Sequence, residues 1–320
     1  MVLLKNQRTD SKLYYVVFLP VIIFIGLIFL ANVGRSFAQE VAFFESPVAL
    51  LQEKQRLMSD KAAERHFRRP LSLSSQDTGR DLQGEIHALL DHPFADVAAA
   101  LKTGAAWCDI LSLHLNIKYC RHDKPRTPGT LSVYVGRKHE QPLDQAFPVR
   151  FAFRVDAGGP DYLRVVLEAE KGPFDTRDYR ILLEAIPAEE KSTFLRFTYS
   201  YETSFIAAMA MQVYFNTIGG DKIGFTVIET RADGSPVYAS KMRGLIERNT
   251  MRYFLALEAY FKTFSVPVDQ RLDLRLQRWF SATEQYARQL HEMDLETYMT
   301  MKRREYSRQA AEDKIVSYRP

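Results

Sequence analysis

Between Thr130 and Glu202 apolar and polar residues alternate in runs of period two, broken by turn-forming clusters. That is the pattern of half-buried β-strands. In "TLSVYVGRK" Leu131, Val133 and Val135 alternate with Ser132, Tyr134 and Gly136. In "FPVRFAFRV" Phe147, Val149, Phe151, Phe153 and Val155 share one face, opposite Arg150 and Arg154. "DYLRVVLEAE", "DYRILLEAIP" and "TFLRFTYSYE" continue, and the last sets Leu195, Phe197, Tyr199 and Tyr201 together. The connections "DAGGPD", "EKGPFDTRD" and "PAEEKS" suit antiparallel hairpins. A sheet of this kind is apolar on one face, so another element must cover it.

The cover is "RGLIERNTMRYFLALEAYFKTF" (243–264), where Ile246, Thr250, Tyr253, Leu257, Phe261 and Phe264 recur at helical spacing. Upstream of the alternating runs, "LQGEIHALLD" reads as a first strand. "HPFADVAAALKTG" and "AAWCDILSLH" read as two short helices, and "NIKYCRH" as another strand. Asp91 and Pro93 mark the start of the first short helix and Gly104 its end. Residues 40–70 read as a helix stopped by Pro70, and "LSLSSQDTGRD" as a linker. The apolar stretch around residues 204–228 is a helix, a strand extension or a lid, and "YFNTIGGDK" within it a turn. Beyond Pro267 the chain is helical in two pieces, with Leu276, Trp279, Phe280, Tyr286 and Leu290 free to dock back.

The stretch "GEIHALLDHPFADVAAALKTGAAWCDILSLHLNIKYC" resembles the opening of START-like (helix-grip, Bet v 1-like) proteins, and "RGLIERNTMRYFLALEAYF" resembles their closing helix. The resemblance covers roughly residues 82–264 and rests on element order, not on an invariant catalytic motif. It implies an α+β helix-grip fold, a curved antiparallel sheet closed by a long C-terminal helix, here with extra helices at both ends. It also implies a cavity between sheet and helix that takes lipids, sterols or other apolar molecules. The expected organisation is a signal peptide or anchor (1–38), a helical segment and linker (39–81), the START-like domain (82–264) and a C-terminal helical extension (265–320).

Charge changes the picture at the N-terminus. Lys5, Arg8 and Lys12 precede the uncharged run "YYVVFLPVIIFIGLIFLA" (14–31), and "SFA" offers a small-residue cleavage site after Ala38. A cleaved export signal and a retained membrane anchor both fit, since about 18 apolar residues are enough to span a bilayer. Either way the rest of the chain is expected outside the cytoplasm, in the periplasm or an equivalent compartment. Cleavage removes four basic residues and one acidic residue, so the formal charge falls from +4 to +1. That balance argues against a nucleic-acid partner.

Compartment bears on the chain's 2 cysteines, Cys108 and Cys120. In an oxidising compartment they are expected to pair. The rival reading is a metal site from Cys108, His114, Cys120 and His122, with ligand types right for zinc but a spacing that matches none of its compact patterns. The disulfide is favoured, with no metal and no cofactor expected.

The candidate ligand-binding residues are Phe151, Phe153, Phe197, Tyr199 and Tyr201 on the strands, with Arg248, Asn249, Arg252, Tyr253 and Leu257 on the closing helix. Aromatics with a few polar handles suit an apolar pocket, but each could equally pack the core, and the helix arginines could form a solvated face. His87, His92 and Asp91 offer acid–base chemistry, although a helix cap flanked by exposed histidines accounts for them as well. No serine-hydrolase elbow, zinc-protease, P-loop or dinucleotide motif occurs. The function expected is an exported binding protein for a lipid or other apolar small molecule. The alternatives are an envelope structural or assembly factor that binds a protein partner through its helical extensions, and a cyclase- or hydrolase-type enzyme using the same cavity.

Overall fold

The computed structural model describes residues 46–60, 67, 69–123, 129–189, 191–204 and 221–317. The expected signal segment and most of the apolar stretch at 204–228 lie outside them. The chain divides into two units, residues 1–50 and 51–320. Helix α1 spans Pro47–Asp60, within the helix expected over 40–70, while Phe67, Arg69 and Pro70 lie in a bend. The sheet and all later helices belong to the second unit.

The main sheet has eight antiparallel strands: β1 (Leu71–Asp77), β2 (Asp81–Leu90), β3 (Ile117–Asp123), β4 (Gly129–Val135), β5 (Phe147–Gly158), β6 (Leu163–Lys171), β7 (Thr176–Pro187) and β8 (Thr193–Thr203). Their order across the sheet is β1-β2-β8-β7-β6-β5-β4-β3. Between β2 and β3 the chain crosses from one side of the sheet to the other through α2 (Phe94–Leu101) and α3 (Gly104–Leu111). The helix Lys241–Phe261, α4, is the gripped one. This α+β, helix-grip architecture is the one the element order and the resemblance imply.

The segment read as a linker is strand β1, paired along its length with β2 from Leu71↔Ala88 to Asp77↔Leu82. Leu71 and Leu73 alternate with serines, a period-two pattern that the polar composition disguises. Gly79, at φ +85°, makes the turn that returns the chain into β2. Residues 223–240 add no ninth strand to this sheet: β9 (Ile223–Thr230) and β10 (Pro236–Ser240) form a hairpin of their own. Glu247 of α4 holds that hairpin, its fully buried carboxylate accepting from the Phe225 and Thr226 amides at 2.6 and 3.0 Å and from Ser75 Oγ.

Helix α4 is buried on nearly every side. Gly84 lets it lie close on β2, since a Cβ there would meet Thr250 Oγ1 at 2.2 Å. Its other side is covered by α5 (Val268–Glu284), where Trp279 Nε1 donates to the Arg252 carbonyl at 3.0 Å and Arg275 stacks on Tyr260. Helices α6 (Ala287–Leu290) and α7 (Leu295–Ser317) follow. Leu276, Trp279 and Leu290 are buried, as their expected docking requires. Among the described residues no helix is long and apolar enough to cross a membrane.

Cys108 on α3 and Cys120 on β3 are joined as a disulfide, with Cα atoms 5.2 Å apart. Both sulfurs are committed to that bond, so the four-residue zinc reading fails. His122 instead packs its ring near Phe153, and His114 lies elsewhere in the core against Tyr253.

Candidate functional site

The inner face of the sheet meets α4 in two different ways. Toward α2 and α3 the space is filled: Phe197, Leu195, Ile86, Trp107, Phe254 and Leu257 are all buried in one continuous core. Toward the start of α4 the same two layers leave a cavity of about 1100 Å³. Its strand wall comes from alternate positions of β4, β5, β7 and β8, among them Val133, Val149, Phe151, Ile181, Tyr199 and Tyr201. Its helix wall is Met242, Leu245, Asn249 and Tyr253, spaced at three and four residues so that they share one face of α4. Loops supply most of the rest, from 136–141, from the turn at Pro173–Phe174 and from Glu292–Met293 ahead of α7, with Leu111 of α3, Ile117 of β3 and Thr297 of α7. Phe174 is 84% exposed although it lines the cavity, which places the mouth at that turn.

Of the residues expected to line such a cavity, Phe151, Tyr199, Tyr201, Asn249 and Tyr253 do so. Phe153, Phe197 and Leu257 do not; they point into the same interlayer space but lie where it is filled. Arg248 and Arg252 are absent from the lining as well. Arg248 donates to the Ile223 carbonyl at 3.0 Å, and Arg252 is fully buried against Glu292 at 2.7 Å and the Leu290 carbonyl. Neither arginine lies on a solvated face, because α5 and the β9–β10 hairpin cover the part of α4 that a simple helix-grip fold leaves open.

Four tyrosines form an aromatic wall on one side of the cavity. Tyr179 stacks on Tyr201 at 5.0 Å, Tyr199 lies 5.7 Å from Tyr201, and Tyr253 meets Tyr199 edge-on at 5.2 Å. Burial raises the phenol pKa of all four, Tyr179 to about 12, so they are neutral at physiological pH. Tyr179 shares a hydrogen bond with Thr176, while the hydroxyls of Tyr199, Tyr201 and Tyr253 make none with the described residues.

The polar lining gathers near the α6–α7 connection. Glu292 accepts from Lys138 Nζ at 2.5 Å and Arg252 Nη2 at 2.7 Å, with Lys222 Nζ at 3.3 Å. Burial alone would raise its pKa, but Arg252, Lys138 and Lys222 outweigh that and hold the carboxyl down at about 2. Lys138 is pulled down to about 8 by burial and by Arg252, against the opposing pull of Glu292. His114 is 2% exposed and stacks on Tyr253 at 4.6 Å. Burial, together with Arg252, Lys302, Lys138 and Lys118, keeps its pKa well below the usual histidine value, so the ring is neutral. Its Nδ1 accepts from the Asn116 amide at 3.1 Å, which puts the proton on Nε2.

The acid–base candidates lie elsewhere. His87 sits beside Glu85 at 3.5 Å and stacks on Phe194; its pKa is lowered to about 4, chiefly by burial. It is buried rather than exposed, and it is not in the cavity lining. The N-cap of α2 is Pro93, so Asp91 does not cap that helix. His92 packs between Phe261 and Phe264 at the filled end. Lys138, His114 and Glu292 are among the polar cavity residues that reading the sequence missed. They lie on three separate loops, without periodicity, and only His114 had drawn notice, as a metal ligand.

No family model matches the chain, and no curated protein is similar to it. Among solved structures the chain is similar to human StAR-related lipid transfer protein 5, at 9% identity over 68% of this chain and 98% of that chain, with a TM-score of 0.38. It is also similar to a protein from Arthrobacter aurescens, at 14% identity over 62% of this chain and 92% of that chain, TM-score 0.34. A third is norcoclaurine synthase from Thalictrum flavum in complex with dopamine and hydroxybenzaldehyde, at 8% identity over 45% of this chain and 76% of that chain, TM-score 0.30. These likenesses are of architecture. By its own sheet order and gripped helix the protein is an α+β helix-grip protein in fold.

Proposed function

We propose that the protein is an exported carrier or receptor for an apolar small molecule or lipid, held between the sheet and α4. The observation that carries this reading is the cavity of about 1100 Å³, slightly larger than the usual range of small-molecule sites. It is walled by aromatic and aliphatic side chains with a few polar groups, the composition such sites require. A chain that needed this fold only as a scaffold would gain stability by filling the space, because unfilled interior volume costs packing energy. Support for export comes from the Cys108–Cys120 disulfide, since disulfides persist mainly in oxidising compartments.

Binding is tested with native mass spectrometry and solvent extraction of the purified protein. A stoichiometric apolar molecule that co-purifies, or saturable uptake of an apolar fluorescent probe, is the expected result. Protein that emerges empty and binds no probe would overturn the proposal in favour of a structural role. Export is tested by N-terminal sequencing of the native protein, which is expected to begin at Gln39 if the signal is cut after Ala38.

A further inference from the structure

We infer that the cavity selects an amphiphile whose headgroup is an anion, a carboxylate or a phosphate, placed beside Lys138, Asn249 and His114. The inference rests on the binding reading above and adds the class of ligand to it.

Its basis is a count of donors against acceptors at the polar end. Glu292 is a single carboxylate facing three cations, Lys138, Lys222 and Arg252, and these make no ion pair with any other acid among the described residues. Asn249 Oδ1 faces Arg252 Nη1 at 3.4 Å; a guanidinium can only donate, so the amide presents its oxygen there. That leaves the Asn249 NH2 group without a partner among the described residues, on a side chain that lines the cavity. His114 carries its proton on Nε2, which is buried and has no acceptor among the described residues. Lys138 has hydrogens to spare beyond the one that meets Glu292.

Groups at this end therefore offer donors and positive charge, while Glu292, the one carboxylate of the described lining, is already engaged by three cations. Buried donors without partners are costly and are rare in native structures. A ligand oxygen that bears negative charge would satisfy them and balance the excess charge, with its apolar body lying along Tyr199, Tyr201 and Phe151. An alcohol would supply one weak acceptor, and a cationic headgroup would be repelled. Burial is the main cause of the lowered pKa of Lys138, and Arg252 and Lys222 add to it against the pull of Glu292.

The test is displacement of N-phenyl-1-naphthylamine, a neutral apolar probe, from the full chain by dodecanoate, dodecyl phosphate or dodecanol below their aggregation concentrations. At about pH 7, where dodecanoate is ionised, at least one anion is expected to displace the probe at about tenfold lower concentration than the alcohol, as charge-assisted hydrogen bonds require. Which of the two anions does so identifies the headgroup. Lys138→Met is expected to bring the anion within about threefold of the alcohol.

A second measurement needs no variant. Dodecanoate stays ionised on going to about pH 9.5, whereas Lys138, facing Glu292, Arg252 and Lys222, loses its proton above about 8. The anion's advantage is therefore expected to shrink on the wild-type protein. Probe bound, with dodecanol equal to or better than both anions, overturns the headgroup inference and leaves the binding reading intact. An advantage that Lys138→Met and the rise in pH both leave unchanged also overturns it. A probe that does not bind at all overturns both.

Discussion

The two ends of the interlayer space are built from the same elements and end differently. At the filled end Leu257, Phe254 and Trp107 interlock with Leu195 and Phe197, and every one of them is essentially inaccessible. At the hollow end Asn249, Leu245 and Met242 of the same helix face Val149, Phe151 and Tyr199 across open space. The distinction lies in what backs each part of α4. Helices α2 and α3 pack into the filled end, whereas mostly loops bound the hollow one. One helix thus serves as core and as cavity wall, and stability is concentrated away from the site that would bind.

The largest effect expected from that contrast is at Leu257. Leu257→Ala opens a void in packed core and is expected to cost about 2–5 kcal/mol in chemical denaturation. A loss under about 1 kcal/mol would mean that the filled end is not the stabilising one. Next is the staple beside it. Replacing both Cys108 and Cys120 by Ala is expected to cost about 3 kcal/mol, the chain-entropy value for a loop this short. Denaturant midpoints of the oxidised protein and the double variant, measured side by side, give that number.

At the hollow end the corresponding electrostatic probe is Glu292→Gln, which leaves Lys138, Lys222 and Arg252 facing no carboxylate. Removing one partner from a buried ion cluster is expected to cost about 3 kcal/mol near neutral pH. The sign with pH follows from the folded pKa of about 2 against the ordinary 4.5. The carboxylate's contribution is complete above about pH 4.5 and is lost as pH falls toward about 2. Wild type and variant should therefore converge in acid, and a gap that stays constant with pH would show the loss to be steric. The smallest stability effect is predicted for Val149→Trp, which adds bulk into open space. It is expected to change stability by under about 1 kcal/mol while abolishing uptake of an apolar probe. A loss of about 1–3 kcal/mol, typical of overpacking, would indicate that the cavity is closed in solution.

What the sequence revealed follows the strength of its periodic signals. The runs at 130–135, 147–155 and 193–202 are strands, and the stripe from Ile246 to Phe261 is the gripped helix, because burial on one face leaves a regular trace. Strand β1 went unread because its serines and aspartate look like a loop, although its pairing with β2 is complete. Phe153, Phe197 and Leu257 were assigned the right face, but periodicity says nothing of where along that face packing gives out. Arg248 and Arg252 read as cavity handles or as a solvated face, and are neither, because what covers them comes from the β9–β10 hairpin and from the chain near Glu292. Lys138 and Glu292 are 154 positions apart, and no local pattern could join them.

Strand β3 ends the sheet, so one row of its backbone groups has no neighbouring strand. Side chains of α7 occupy part of that row: the Cys120 amide donates to Gln309 Oε1 at 3.2 Å, and Arg308 donates to the Lys118 carbonyl at 3.3 Å. Lys302, buried and paired with Glu305, reaches the His114 and Ile117 carbonyls at 2.8 Å each. An uncovered edge strand is a template on which another chain can add. Here the template is occupied from within, so the last helix acts as a guard against self-association. Molecules clipped ahead of Lys302 would expose this border, and they are expected to self-associate more readily than the whole chain, as light scattering would show.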